Sequence, residues 1–153
     1  VQEHVCILSG FYGVVHPLDG VTPYRLEMQT KVNLPNVKNL YEYWGEKIYR
    51  EVSADTEVIV NLASKEYSKC IEKYLTPDIN YITCVFGEYK GDKVIEKGTY
   101  AKMARGEMVR FLAERKAERP EEMKLFCRLG YRYSETESTK DRYVFLKEQG
   151  GDK

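Results

Sequence analysis

The chain reads as a mixed α/β protein, a single domain with one mixed sheet and flanking helices. Three observations predict this. Short β-branched apolar runs end at turn residues, apolar stripes at helical spacing lie between them, and 153 residues suit one core of ordinary size. The composition, 42% hydrophobic and 31% charged with five prolines and eleven glycines, matches a globular protein and excludes a disordered, collagen-like or membrane-spanning chain. No apolar run approaches the roughly 18 residues that a bilayer crossing needs.

Val5–Leu8 is a short apolar run stopped by Ser9-Gly10, as expected of a buried strand that ends in a loop. Gly10 to Pro35 holds three glycines and three prolines and is expected to be largely irregular; so long a loop in a compact domain is usually functional. Leu40, Tyr43, Trp44, Ile48 and Val52 then draw one apolar stripe along a helix over 39–52. Glu57–Leu62 predicts a strand, followed by a helix capped by Ser64 with Tyr67, Cys70, Ile71 and Tyr74 facing inward. Tyr81–Tyr89 and Lys93–Lys97 flank Lys90-Gly91-Asp92, a hairpin turn in which Gly91 supplies the positive φ. A long helix follows from about Ala101 to Lys116, with Ala101, Ala104, Met108, Phe111 and Leu112 inward. Pro120 opens a short helix that Gly130 terminates. Tyr131–Ser134 and Arg142–Leu146 close the domain as a hairpin, so residues 1–147 form the domain and 148–153 a flexible tail, frayed from Gly150.

Lys plus Arg and Asp plus Glu are 24 each, so an overall basic coat for nucleic acid is absent, and an anion-binding surface must come from local asymmetry. The four cysteines Cys6, Cys70, Cys84 and Cys127 lie far apart with no C-x-x-C pair. They are expected to be buried apolar residues in a reducing cytoplasm. No signal-peptide pattern opens the chain, and a cytoplasmic location is expected. The start on Val1 suggests a chain incomplete at its N-terminus.

Three segments could carry chemistry. In the first, Ser9, Gly10, Tyr12, Asp19, Tyr24, Arg25 and Glu27 bring hydroxyls, phenols, two carboxylates and a guanidinium onto one glycine-bearing loop after a strand. That is where ligands bind in open α/β sheets; the alternative is a plain turn with a solvated ion pair of Arg25 to Asp19 or Glu27. The second, Asn61 to Tyr67, hands a strand to a helix. Its N-terminus favours an anion beside Asn61 and Ser64, or Ser64 simply caps the helix. The third is Tyr100 to Gly106. Residues 99–119 hold six basic side chains against three acidic ones, a net +3 in a neutral chain. Lys102 and Arg105, three apart near a helix start, point to phosphate binding with Gly106 allowing close approach, while Glu107, Arg110 and Glu114 form a ladder that needs no partner.

Asp19, Glu27 and Glu66 are the candidate acids or bases. No phosphate loop, dinucleotide fingerprint, zincin helix or nucleophile elbow is present, so no cofactor is expected. With only His4 and His16, no metal site is expected either.

Taken together, Ile7-Leu8-Ser9-Gly10-Phe11-Tyr12-Gly13, Pro17-Leu18-Asp19, Pro23-Tyr24-Arg25-Leu26-Glu27-Met28, Asn39-Leu40-Tyr41 with Trp44-Gly45, Asn61-Leu62-Ala63-Ser64 with Glu66-Tyr67, and Tyr100-Ala101-Lys102 with Ala104-Arg105-Gly106-Glu107-Met108 resemble the bacterial peroxide-stress protein YaaA family. The likeness runs in order from about Cys6 to Lys147. It implies a YaaA-like fold and a cytoplasmic protein of the peroxide response, linked to limiting free iron and binding double-stranded DNA through a cationic cleft. It also implies that further chain precedes Val1 in family members and that His16 stands where they usually carry arginine.

On this reading Arg25, Ser64, Lys102, Arg105 and Gly106 contact phosphate, and Ser9, Gly10, Tyr12, Tyr24, Asn61, Tyr67 and Tyr100 line a pocket. The acids among them are unlike a surface that only tracks DNA phosphates. An enzyme acting on a nucleotide, nucleoside or nucleobase is therefore the alternative, with a nucleotide-like phosphate ligand as partner. No membrane partner is expected, and the sequence leaves the oligomeric state open.

Overall fold

In the computed structural model, residues 1–148 are described, and they divide into two compact units. The first comprises Val1–Ile59 with Ala63–Asn80, the second Val60–Leu62 with the chain from Tyr81 onward. The mixed α/β architecture is the one the sequence predicts.

In the first unit, β1 (Ile7–Ser9) and β2 (Gly13–Val15) form an antiparallel hairpin pairing Ile7 with Val15 and Ser9 with Gly13. Apart from β2, the segment from Gly10 to Pro35 is largely irregular, as expected. One expectation is corrected here: the hairpin buries Ser9 rather than its apolar residues, Ile7 being 46% exposed. A three-residue strand can bury one position when a polar side chain there satisfies the turn's N–H groups.

The predicted helix over 39–52 is two helices, α1 (Leu40–Trp44) and α2 (Lys47–Ser53). Asn39 Oδ1 caps α1 by accepting the Glu42 N–H at 2.9 Å, and Gly45, at φ +50°, breaks the run. The break carries Trp44 toward the hairpin and leaves Tyr43 47% exposed. After β3 (Val58–Asn61), α3 (Lys65–Glu72) buries Ser68, Cys70 and Ile71. Ser64 stands at its N-cap position, but its hydroxyl makes no capping bond, which corrects the second expectation for that residue.

In the second unit, β4 (Asn80–Lys90) lies between β3 and β7 (Arg142–Lys147), with β6 (Tyr131–Thr139) beyond β7 and β5 (Lys93–Ile95) also paired to β4. The sheet is mixed: β4 and β7 run parallel, whereas β5 and β6 pair antiparallel to β4 and β7. Alternation along β4 turns Ile82, Cys84 and Phe86 into the core. Phe86 stacks on Phe145 at 5.0 Å between ring centroids and meets Phe126 and Tyr131 edge-on. Helix α4 (Gly98–Arg115) contributes Ala101, Ala104, Met108 and Phe111, one face at helical spacing, and ends on Lys116 in the left-handed conformation.

The segment opened by Pro120 is a 3-10 helix, Pro120–Leu125. Glu122 accepts the Glu118 and Arg119 N–H groups before it, and Phe126 turns extended after it. The expected tail lies outside the described residues, apart from Glu148, whose N–H donates to the Gly130 carbonyl at 2.8 Å. Cys70 and Cys84 are buried as expected, but Cys6 and Cys127 are exposed. Isolated cysteines carry no periodicity, so their side of a strand or loop is settled only by packing. Among the described residues no helix is long and apolar enough to cross a membrane.

Candidate functional site

Ser9 is 3% exposed, and its Oγ lies at the centre of the first candidate loop. It accepts the N–H groups of Phe11 at 3.2 Å and Tyr12 at 3.0 Å and bonds the Tyr24 hydroxyl at 2.5 Å. With both serine lone pairs occupied, the serine O–H goes to Tyr24, which leaves the phenolic O–H of Tyr24 for another acceptor. Gly10 is required by close approach: a Cβ there would stand 2.7 Å from the Leu26 carbonyl. The same residue's carbonyl accepts the Trp44 indole N–H at 3.0 Å, and Gly13, at φ +78°, lies so close to the Trp44 ring that a Cβ would meet it at 2.7 Å. Tyr12 anchors the far side by accepting the Thr22 N–H at 3.0 Å.

This scaffold gathers three rings. Phe11 and Tyr24 stack at 5.3 Å, and Tyr12 meets each edge-on. Phe11 and Tyr24 are nonetheless 55% and 44% exposed, so the loop presents aromatic surface outward.

Glu27 is exposed, and Glu66 on α3 accepts the Gln29 N–H at 3.1 Å, tying the chain after Glu27 to that helix. The Tyr41 hydroxyl donates to the Glu66 carbonyl at 2.8 Å. Burial first, then the charge of Glu66 and lesser effects of Tyr24 and Glu27, push the Tyr67 hydroxyl above its ordinary value, against a hydrogen bond from the Met28 backbone. Burial, Cys70, Glu66 and Tyr67 do the same to Tyr41. Tyr24, Glu27, Glu66 and Tyr67 are thus in one electrostatic neighbourhood, so the Ser9–Glu27 and Ser64–Tyr67 segments come together within the first unit. Asp19 is engaged by His16, whose N–H donates to Asp19 Oδ2 at 2.7 Å, and not by Arg25, which is exposed.

Asn61 and the Tyr100–Gly106 segment belong to the second unit. Asn61 is buried and donates through Nδ2 to Thr83 Oγ1 at 3.3 Å. The Arg105 guanidinium, its side chain 16% exposed, bonds Glu96 Oε1 at 3.1 Å and Oε2 at 3.3 Å; Glu96 Oε1 also accepts the Phe86 N–H at 3.1 Å. Burial pushes the Cys84 thiol up to about 12, opposed by the charge of Arg105. Arg105 is therefore committed to the sheet, whereas Lys102 is exposed and has no ion pair among the described residues. Gly106 faces open space, so close packing does not require glycine there. Tyr100 lies exposed under Lys147 Nζ, 3.8 Å from its ring centroid. The predicted ladder is joined by Arg128, which bonds both Glu107 and Glu114.

Residue-by-residue reasoning did not single out Trp44, Tyr41 and Gln29 as parts of the site. Tyr41 and Trp44 fall in the Asn39–Gly45 motif, which was the available signal; Gln29 contributes only its backbone and left none. Among the described residues no group of three or more His, Cys, Asp or Glu side chains is placed to hold a metal ion.

The geometry defines a mixed α/β protein whose tyrosine-rich polar loop is held in shape by its own buried serine. Comparison with known proteins is more specific. The model of the family described as peroxide stress protein YaaA matches residues 1–137. A UPF0246 protein of Lachnoclostridium phytofermentans is 62% identical over 147 residues, covering 96% of this chain and 58% of that protein. One from Agathobacter rectalis is 61% identical over 145 residues, 95% of this chain and 58% of the relative. A third, from Pediococcus pentosaceus, is 48% identical over 149 residues, 97% and 59%. The chain belongs to the peroxide stress protein YaaA family. It spans 58–59% of the length of these three relatives.

Proposed function

We propose that the chain acts in the oxidative-stress response by binding double-stranded DNA in the cytoplasm, and that this binding is linked to limiting free intracellular iron. Membership of a family described by peroxide stress, with 62% identity to one relative across 96% of the chain, carries this reading. Of the three predicted phosphate-binding cations, Arg25 and Lys102 are exposed and without ion pairs among the described residues, whereas Arg105 is held by Glu96. The experiment is duplex binding at rising salt, followed by fluorescence anisotropy. Affinity falls with salt, and Arg25→Ala with Lys102→Ala flattens the log–log slope by about two. Salt-independent binding, or none, overturns the reading. In cells challenged with peroxide, the chain lowers free iron; an unchanged free-iron pool removes that link.

The electrostatic grouping of Tyr24, Glu27, Glu66 and Tyr67 favours a second reading, an enzyme acting on a nucleotide, nucleoside or nucleobase. The exposed aromatic surface of Phe11 and Tyr24 offers a base something to stack on. Turnover in a nucleotide pool, absent in Glu27→Gln, is the expected result, and unchanged substrates throughout retire it.

A further inference from the structure

The β1–β2 hairpin brings together three side chains that the DNA-binding reading does not use. Cys6, just before β1, places its Sγ 4.0 Å from Nε2 of His16, which follows β2. On the other side of the ring, His16 Nδ1 lies 3.5 Å from Asp19 Oδ2, the oxygen that also accepts the His16 backbone N–H at 2.7 Å. A carboxylate beside Nδ1 keeps the ring proton there and leaves the Nε2 lone pair toward the sulfur, the order of groups that activates a nucleophile through an oriented base. Cys6 is exposed, so a small oxidant reaches it without any opening of the fold.

We propose that Cys6 is a peroxide-reactive thiol, with His16 as its proton acceptor and Asp19 as the residue that positions His16. His16 Nε2 takes the proton from the Cys6 thiol. The sulfur then attacks one oxygen of hydrogen peroxide, the O–O bond breaks, and the departing oxygen leaves as water with the proton returned by His16. One thiol and one peroxide become one sulfenic acid and one water; the sulfur loses the two electrons that the peroxide gains. Burial first and then the charge of Glu51 push the Cys6 thiol above its ordinary value, so it is protonated before reaction and needs a base at hand. Glu51 on α2 acts on it electrostatically, beside the His16–Asp19 pair. The inference stands apart from DNA binding and survives its failure.

Cys127 is the internal control, exposed and with no histidine bonded to it among the described residues. Peroxide is added to the chain with dimedone present, and the adduct at each cysteine is followed by peptide mass spectrometry. Cys6 is labelled at least about tenfold faster than Cys127, a modest share of what a positioned base can supply. His16→Gln brings Cys6 down to the rate of Cys127 and leaves Cys127 unchanged, and Asp19→Asn produces a smaller fall. Equal labelling of the two cysteines in the unaltered chain, or an unaltered Cys6 rate in His16→Gln, would overturn the proposal.

Discussion

The two units hold their shape by different means. In the second, one cluster of buried residues, with Phe86, Phe126 and Phe145 at its centre, ties three strands, α4 and the 3-10 helix together. In the first, the candidate loop is shaped largely by side chains bonded to backbone: Ser9 to Phe11 and Tyr12, Trp44 to Gly10, Glu66 to Gln29. Apolar packing is non-directional and tolerates many arrangements of similar volume, whereas a hydrogen-bonded loop fixes a few polar atoms in place. The first arrangement serves as scaffold. The second leaves phenols, rings and carboxylates exposed in defined positions.

The largest expected effect tests the scaffold. Phe86→Ala removes a ring that is fully buried and in contact with three others, and costs about 3–5 kcal/mol in chemical denaturation followed by far-ultraviolet circular dichroism. Trp44, the single tryptophan, reports the first unit in the same experiment. A smaller change in its emission midpoint than in the dichroism sharpens the contrast; equal changes break it, because the units then unfold as one.

Ser9→Ala strips the loop of its central acceptor and leaves the Phe11 and Tyr12 N–H groups without it, a loss of about 1–3 kcal/mol seen in the Trp44 emission midpoint. No change there would mean that ring packing alone shapes the loop.

The smallest effect is one of pH. Burial alone would raise the Glu72 carboxyl, but hydrogen bonds from Lys65 and Ser68 outweigh it and hold the group below its ordinary 4.5. Its ionised form is thus favoured by folding, so its contribution is present above that value and lost as pH falls through the lower folded one. Glu72→Gln flattens the fall of the Trp44 midpoint on acidification; an unchanged acid profile rejects this.

Much of the second unit was legible from spacing. Ala101, Ala104, Met108 and Phe111 recur at helical intervals, and the Lys90-Gly91-Asp92 turn is where the β4–β5 hairpin reverses, Gly91 at φ +61°. Local rules suffice where one face is apolar and one wet. The same rules failed at Gly45, where the stripe from Leu40 to Val52 looks continuous but a positive φ splits it. They failed again at Arg105, which in sequence is one more cation on a basic helix and in space belongs to Glu96. Of the site, the Ser9–Glu27 and Ser64–Tyr67 segments were recognisable as motifs, while their meeting through Glu66, Gln29 and Tyr67 depends on contacts across 37 positions of chain and more.

Pattern and motif alone determined the α/β class, the order of most elements and the family, because periodicity and turn chemistry are properties of neighbouring residues. Only the tertiary structure decided which charges are already spent, which cysteines meet water and which histidine faces a thiol. Those outcomes depend on pairs brought together by folding, and no local pattern encodes the distance between them.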